Sequence, residues 1–347
     1  MRIAHDRLEA FIQAIFQAAG SHQPESAAIA RYLVEANLVG HDSHGVIRVP
    51  QYIAWLRAEH VVPNQTPEVV FETQTMAIVD GRFGFGQVMG GAAVKIGLEK
   101  CAAQGVAVVG LRNSGHLGRI GDWAEMAARA GKISLHFVNT SGAGMLVAPY
   151  GGTERRLSAN PLAAGVPVAG GAPLILDMST CTIAEGKIKV ALNKGVNIPD
   201  GCILDGEGRP SNDPKAFYAT PPGAILTTAG HKGFGLSVLV EVLAGAITGG
   251  HCTTPGVKRV SNNMLSIFLD PGALPTGTDF AREIADLVAW VKSSPTVEPG
   301  GAILMPGEPE QRTRSARLAA GIELDAVTWS QLVETARSLN LPEPVTS

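Results

Sequence analysis

Between residues 65 and 180 the chain repeats one texture. Short apolar, β-branched runs are closed off by Gly, Asn or Asp, and longer helical stretches separate them. The runs are VVFET, MAIVD, VAVVGL, ISLHFVN and LILDM, which read as strands. Residues 90–103 and 120–130 supply the helical stretches. Strands alternating with helices require a sheet covered by helices, so an α/β or α+β core follows.

The two ends of the chain read differently. Leu8, Phe11, Ile12, Ile15 and Phe16 recur at spacings of three and four, which predicts a helix over residues 6–19 with one apolar stripe. Asp6 stands where an N-cap belongs. A second helix starts near Pro24, with Ser21 or Gln23 before it, and runs to about Val39, where Gly40 closes it. Pro50 suits the first turn of a short helix carrying Tyr52, Ile53, Trp55 and Leu56. An amphipathic helix is expected over residues 234–247. Further helices are expected over 280–291, 310–320 and 328–339, and the tail after Pro342 is expected to be loose. The division that results is a helical part at 1–73, a mixed α/β part at 74–269 and a second helical part at 270–347. The two helical parts can pack together as one discontinuous domain.

Composition narrows the class. At roughly 150 residues per domain, 347 residues suggest two domains. A hydrophobic share of 45% against 17% charged excludes a disordered chain. Lys and Arg total 28 against 31 Asp and Glu, which leaves no basic face for nucleic acid. No apolar run reaches the roughly 18 residues of a membrane span. Charges interrupt the first twenty residues too often for a signal peptide. Cys101, Cys181, Cys202 and Cys252 form no CxxC pair, so they read as core thiols in a reducing, cytoplasmic setting.

The candidate chemistry lies in a few polar clusters. Gly84, Gly86 and Gly90 approach the GxGxxG pattern, but the third glycine falls one residue late. No acidic residue closes a second strand at the expected distance, which argues against the ordinary Rossmann fold. In HDSHGVIRVP, His44 and Arg48 are four apart and share a face if the turn is helical. Arg48 can grip a carboxylate through two parallel hydrogen bonds. His44 can pass a proton near neutral pH, and Ser43 can orient its ring. The alternative is a polar loop with Arg48 in a surface ion pair. In NSGHLGRIGD a glycine-rich strand-to-helix turn suits an anion, and His116 either faces a ligand or is satisfied by local backbone. Asp177 ends a strand, where it contacts a ribose hydroxyl or caps the following turn. Lys232 lies between glycine-flanked positions before a helix, as a pyrophosphate contact or a surface turn. Glu308 reads first as a helix N-terminal charge.

In sequence order, HDSHGVIRVPQY, DGRFGFGQ, NSGHLGRIG, NPLAAGVP, LDMST, GKI, IPDG, the Asp213-Pro214 pair, GHKGFGLS and MPGEPE span residues 41 to 309. Together they resemble the malate/L-lactate dehydrogenase family, which lacks the ordinary Rossmann fold. That family includes ureidoglycolate, sulfolactate and diketogulonate oxidoreductases and cyclic-imine carboxylate reductases. The resemblance implies an α+β fold: an unusual dinucleotide-binding α/β domain with a helical domain built from both chain ends. It implies a homodimer and reversible hydride transfer between a nicotinamide and a small 2-hydroxy or 2-oxo acid, without metal. The cofactor would be NAD or NADP, with NAD favoured. His44 lies where some members place the proton donor, and His116 where others place the acid/base residue. Arg48 matches the substrate-carboxylate arginine. The cofactor-contacting positions fall on His116, Leu117, Gly118, Arg119 and Ile120, then on Asn139, Thr140 and Asn160. They continue through Asp177, Met178 and Ser179 to Lys232, Gly307 and Glu308.

Two departures bear on substrate. Many members have Thr before Asn-Pro, where this chain has Ala159. The imine reductases use a Ser–His–Asp relay, and residues 188–195 offer Asn193 and Lys194 but no acid. This favours an oxo acid over an imine acid. On this reading Arg48 holds the carboxylate while a cationic imidazole, His44 ahead of His116, protonates the developing alkoxide. The alternatives are reduction of a cyclic imine carboxylate, metal-assisted hydrolysis by His41, His44 and His116, and a nucleotide-binding protein without catalysis.

Overall fold

The computed structural model describes residues 1–142 and 144–342, so the tail after Pro342 lies outside the described residues. A short strand, β1 (Arg2–Ile3), leads into α1 (His5–Ala18) and α2 (Gln23–Leu38). The stripe of α1 is buried at each of its five predicted positions. Asp6 is not the cap: Ala4 holds that position, and Asp6 lies inside the first turn, accepting the Arg7 N–H at 2.9 Å. There its charge complements the helix dipole. Two 3-10 turns, Asp42–His44 and Val46–Arg48, precede α3 (Val49–Arg57).

The middle of the chain builds the sheet. In order come β2 (Glu68–Glu72), β3 (Met76–Asp80), α4 (Gly86–Gln104), β4 (Val106–Ser114), α5 (Gly121–Arg129), β5 (Ile133–Ser141), β6 (Leu162–Val166) and β7 (Leu174–Met178). A smaller unit follows: α6 (Glu185–Lys194), β8 (Ile203–Leu204), β9 (Pro210–Ser211), α7 (Pro214–Phe217) and β10 (Ala224–Ile225). Then α8 (His231–Val240) continues into a π-helical segment, Glu241–Ala246, before β11 (Ser261–Leu269). The chain ends with α9 (Phe280–Lys292), α10 (Glu308–Ala320), β12 (Ile322–Glu323) and α11 (Ala326–Arg337).

The large sheet has seven strands in the order β2-β3-β4-β11-β5-β6-β7. β3 and β4 run parallel, joined through α4, and the other neighbours run antiparallel. A doubly wound dinucleotide sheet is mostly parallel. The mixed sheet with its covering helices is an α+β architecture. Its central strand, β11, is not among the runs that the sequence suggests, because SNNMLSIFL opens on three polar residues. All three are buried.

Among the described residues, three hydrophobic cores hold the fold. One joins Leu8, Ile12, Phe16, Leu33 and Tyr52 to Ile322, Leu332 and Ala336, so both chain ends contribute, and β1 pairs with β12 beside it. The second packs α4 and α5 on the sheet around Trp123, Met89 and Phe268. The third fills the small unit around Ile188, Ile203 and Phe217. α9 contributes no buried residue. Among the described residues, no helix is long and apolar enough to cross a membrane.

Candidate active site

His44 and Arg48 are not successive turns of one helix. Gly45 interrupts them in an extended conformation, and a Cβ there would lie 2.2 Å from Asn37 Oδ1. That oxygen accepts the Val46 N–H at 2.8 Å, while Asn37 Nδ2 donates to Asp42 Oδ1 at 2.6 Å. Arg317 of α10 clamps the same carboxylate with bonds of 2.6 and 3.0 Å. The loop is therefore held by helices from both chain ends. Arg48 folds back onto it, its Nε donating to the Ser43 carbonyl at 2.6 Å. No ion pair to Arg48 occurs among the described residues.

This loop brings His44 against His116, from the turn between β4 and α5. Their rings are parallel, 11° apart in plane, with centroids 5.7 Å apart. Ser43 Oγ lies 3.1 Å from His44 Nδ1. On the other side Tyr52 Oη lies 2.7 Å from His116 Nδ1, and Gln87 Nε2 donates to Tyr52 Oη at 3.1 Å. Burial and then the Arg48 charge push His116 down to about 3. Burial first, then Arg48, His116, His41 and Arg119, hold His44 well below the usual histidine range. Both rings are thus neutral at neutral pH. A ring that is desolvated beside a guanidinium gives up its proton more readily than a free one.

A cavity of about 540 Å³ opens beside the loop. Ser43 and Arg48 line one side, Glu185, Lys189 and Tyr218 another, and Gln331 of α11 a third. Arg48 and Lys189 give this half-apolar cavity two cationic groups, and Glu185 and Glu334 border it as well, so the fork of Arg48 is the group that suits a carboxylate. His41 stands apart, 3.2 Å from Glu310 Oε1. Among the described residues, no group of three or more His, Cys, Asp or Glu side chains is placed to hold a metal.

The other expected positions form a scaffold around this centre. Arg119 is buried and faces Asp122 at 2.8 Å, with Asp177 and Glu125 each at 3.5 Å. Those carboxylates keep it charged. Asp177 Oδ2 accepts the Gly121 N–H at 2.9 Å, so it caps α5 rather than the turn after its own strand. Asn139 and Asn160 both donate through Nδ2 to the buried Glu241, at 2.9 and 2.8 Å. Asn262 of β11 accepts the Leu117 N–H at 2.9 Å and donates to the Asn139 carbonyl and to Thr140 Oγ1. It ties the His116 turn to the end of β5. Met178 and Ser179 are partly buried at the end of β7, and Gly118 and Ile120 are buried in the His116 turn. Lys232 is exposed in the first turn of α8. Gly307 abuts Ile175 of β7, and Glu308 binds Lys292 and the Met305 N–H.

The family model for malate/L-lactate dehydrogenase matches residues 3–333. Hydroxycarboxylate dehydrogenase B of Escherichia coli (strain K12) is 40% identical over 341 residues, covering 97% of this chain and 94% of that one. L-lactate dehydrogenase of Cupriavidus necator is 35% identical over 321 residues, covering 91% of each. The solved sulfolactate dehydrogenase of Methanocaldococcus jannaschii superposes with a TM-score of 0.87 at 33% identity, over 98% of both chains. The chain belongs to the malate/L-lactate dehydrogenase family. It is an oxidoreductase.

Within this malate/L-lactate dehydrogenase family member, several site residues escape a reading by motif. Tyr52 reads as one more apolar helix position, although it follows Arg48 by four. Gln87 is hidden inside the glycine string GFGQ. Glu185 precedes residues 188–195, where no acid occurs, yet it borders the cavity and accepts from Tyr218 Oη at 2.7 Å. Glu241 sits in a helical run whose π-helical register only the fold reveals.

Proposed function

We propose that the protein is a nicotinamide-dependent dehydrogenase that interconverts a small 2-hydroxy acid and its 2-oxo acid. The observation that carries this is the pair of parallel imidazoles, both held low by burial and by the charge of Arg48, a residue that with Ser43 lines the neighbouring cavity. Arg48 binds the substrate carboxylate. In the oxidative direction a neutral imidazole takes the hydroxyl proton. In the reductive direction it returns that proton to the alkoxide. A bound carboxylate offsets the Arg48 charge, so the ring gains basicity when substrate is present.

The residues fit the cofactor. Gln87 Oε1 is buried without a hydrogen-bond partner, and a carboxamide such as that of nicotinamide carries the missing N–H. Lys232 at the N-terminus of α8 offers a cation and a helix dipole to a pyrophosphate. When bound, the nicotinamide supplies or accepts the hydride. NAD and NADP both belong to this reading, with NAD our first choice.

The reading extends to the domain division at 1–73, 74–269 and 270–347, and to a cytoplasmic setting, which four free thiols support. It includes a homodimer. Val238, Leu239, Val242 and Ile247 are exposed on α8 and its continuation, opposite the face buried by Ser237 and Val240. A solvent-facing helix side is ordinarily polar. Light scattering should give twice the chain mass.

Loss of reduced-nicotinamide absorbance tests the activity, with NADH and NADPH in parallel. The panel holds pyruvate, oxaloacetate, longer 2-oxo acids and cyclic imine acids, with and without chelator. Turnover of 2-oxo acids that survives chelation is expected. Turnover confined to imine acids, or abolished by chelator, overturns the reading.

A further inference from the structure

We propose a division of labour between the two imidazoles: His116 is a fixed neutral hydrogen-bond donor through Nε2–H, its tautomer set by Gly118, Tyr52 and Gln87, and His44 alone moves the proton. This rests on the dehydrogenase reading above. The Gly118 backbone N–H points at His116 Nδ1 from 3.3 Å. A backbone N–H has no acceptor function, so Nδ1 must present its lone pair. Tyr52 Oη is 2.7 Å from the same nitrogen. It already accepts from Gln87 Nε2 at 3.1 Å, which leaves its own proton for Nδ1. Both contacts therefore require Nδ1 to be an acceptor. In a neutral imidazole the hydrogen then resides on Nε2.

Protonating His116 would turn Nδ1 into a donor facing two donors, in a buried place that also feels the Arg48 charge. His116 is thus poor at carrying a proton. A neutral ring fixed in this way aims an N–H at an oxygen on which charge develops. His44 is built differently. Its Nδ1 has Ser43 Oγ at 3.1 Å, and a hydroxyl both donates and accepts. Ser43 therefore suits the neutral ring and the imidazolium alike. The charged and titratable groups that bear on His44 are Arg48, His116, His41 and Arg119.

With centroids 5.7 Å apart, the two rings can address one small acid. In the reduction, a bound reduced nicotinamide would supply the hydride to C2 of the 2-oxo acid as its C=O π bond breaks. The oxygen accepts a hydrogen bond from His116 Nε2–H and takes its proton from His44, which picks that proton up from solvent once a bound carboxylate offsets the Arg48 charge and which ends neutral again. No proton leaves His116. Tyr52 and Gln87 are positioning residues in this scheme.

The test combines ring nitrogen NMR on the full-length protein, labelled with 15N-histidine, and steady-state kinetics. The His116 signals are identified by their loss in His116→Gln. Wild type is expected to show Nδ1 unprotonated and Nε2 protonated, without titration from about pH 5 to 8, since the group sits far below its usual pKa. Tyr52→Phe keeps the ring packing and the Gly118 donor, so the Nε2–H tautomer is expected to persist while kcat falls about tenfold, the loss of one neutral hydrogen bond. Because the glutamine amide still donates, His116→Gln should retain at least about tenfold more activity than His116→Ala, which loses about 10²–10³ as an oxyanion donor does. His44→Gln should lose about 10²–10⁴ together with the pH dependence of kcat. A protonated Nδ1 on His116 overturns the proposal. So does a His116→Gln protein as inactive as His44→Gln and lacking the same pH limb. The NMR result stands without turnover, so a failure of the dehydrogenase reading would show separately, as a correct tautomer in a protein inactive on the whole panel.

Discussion

At the scale of single residues, Arg48 does two things. It lines the cavity as an anion-binding fork, and its charge is among the causes that keep both imidazoles neutral. Removing it should therefore weaken substrate binding and raise the histidine pKa values together. Arg48→Ala is expected to lower kcat/KM for a 2-oxo acid by about 10–150-fold, the loss of a charged hydrogen-bond pair of about 1.5–3 kcal/mol. Most of that should appear in KM. Steady-state kinetics on the best substrate of the panel will show it. Arg48→Lys should recover only part, because an ammonium keeps the charge without the planar fork. Ser43, His44, Arg48 and His116 are legible in the sequence as polar types in glycine-rich strings. Their mutual placement is not, because His44 and His116 are joined only by the way the chain-end helices hold one loop against the β4–α5 turn.

At the scale of elements, α4 shows how closely helix and sheet approach. A Cβ on Gly97 would stand 2.1 Å from Cε2 of the buried Phe268 on β11, whereas one on Gly91 meets nothing closer than 3.7 Å. Gly97→Ala should cost about 1–3 kcal/mol by overpacking. Gly91→Ala on the same helix should add about 0.4–1 kcal/mol by restricting the unfolded chain. Urea midpoints of the two variants will separate the effects. The helices and most strands of the middle region follow from hydrophobic period. β11 does not, since Ser261, Asn262 and Asn263 would normally signal a loop. Instead the Ser261 hydroxyl is matched by Ser141, the Asn262 amide by Leu117 and the Asn263 amide by Asn139. Partners so distant in sequence leave no local trace.

Across the whole molecule, buried neutral histidines make stability depend on pH. His136 lies inside the sheet between Ser266 Oγ at 2.8 Å and Ser134 Oγ at 3.0 Å, and burial pushes it down to about 3. The unfolded chain binds this proton near pH 6.5, long before the native protein does. Stability is therefore complete above about pH 6.5 and is lost as pH falls towards 3, by about 1.4 kcal/mol per pH unit for one histidine. His44 and His116 act in the same direction. Replacing His136 with Gln should remove that slope from urea-measured stability between about pH 6 and 4. An unchanged slope would mean that the ring is already charged in the native sheet.

The sequence by itself determined the element types, through periods of two and of three to four, and the chemical inventory of the site, through side-chain types that pass protons and grip carboxylates. It also carried the family, in strings ordered from residue 41 to 309. The tertiary structure decided the rest. It placed β11 at the centre of the sheet, joined the chain ends in one core, and set a neutral His44 against a neutral His116. Local pattern reports how a segment meets water. Desolvation, charge proximity and the direction of a hydrogen bond depend on partners that come together only when distant segments pack.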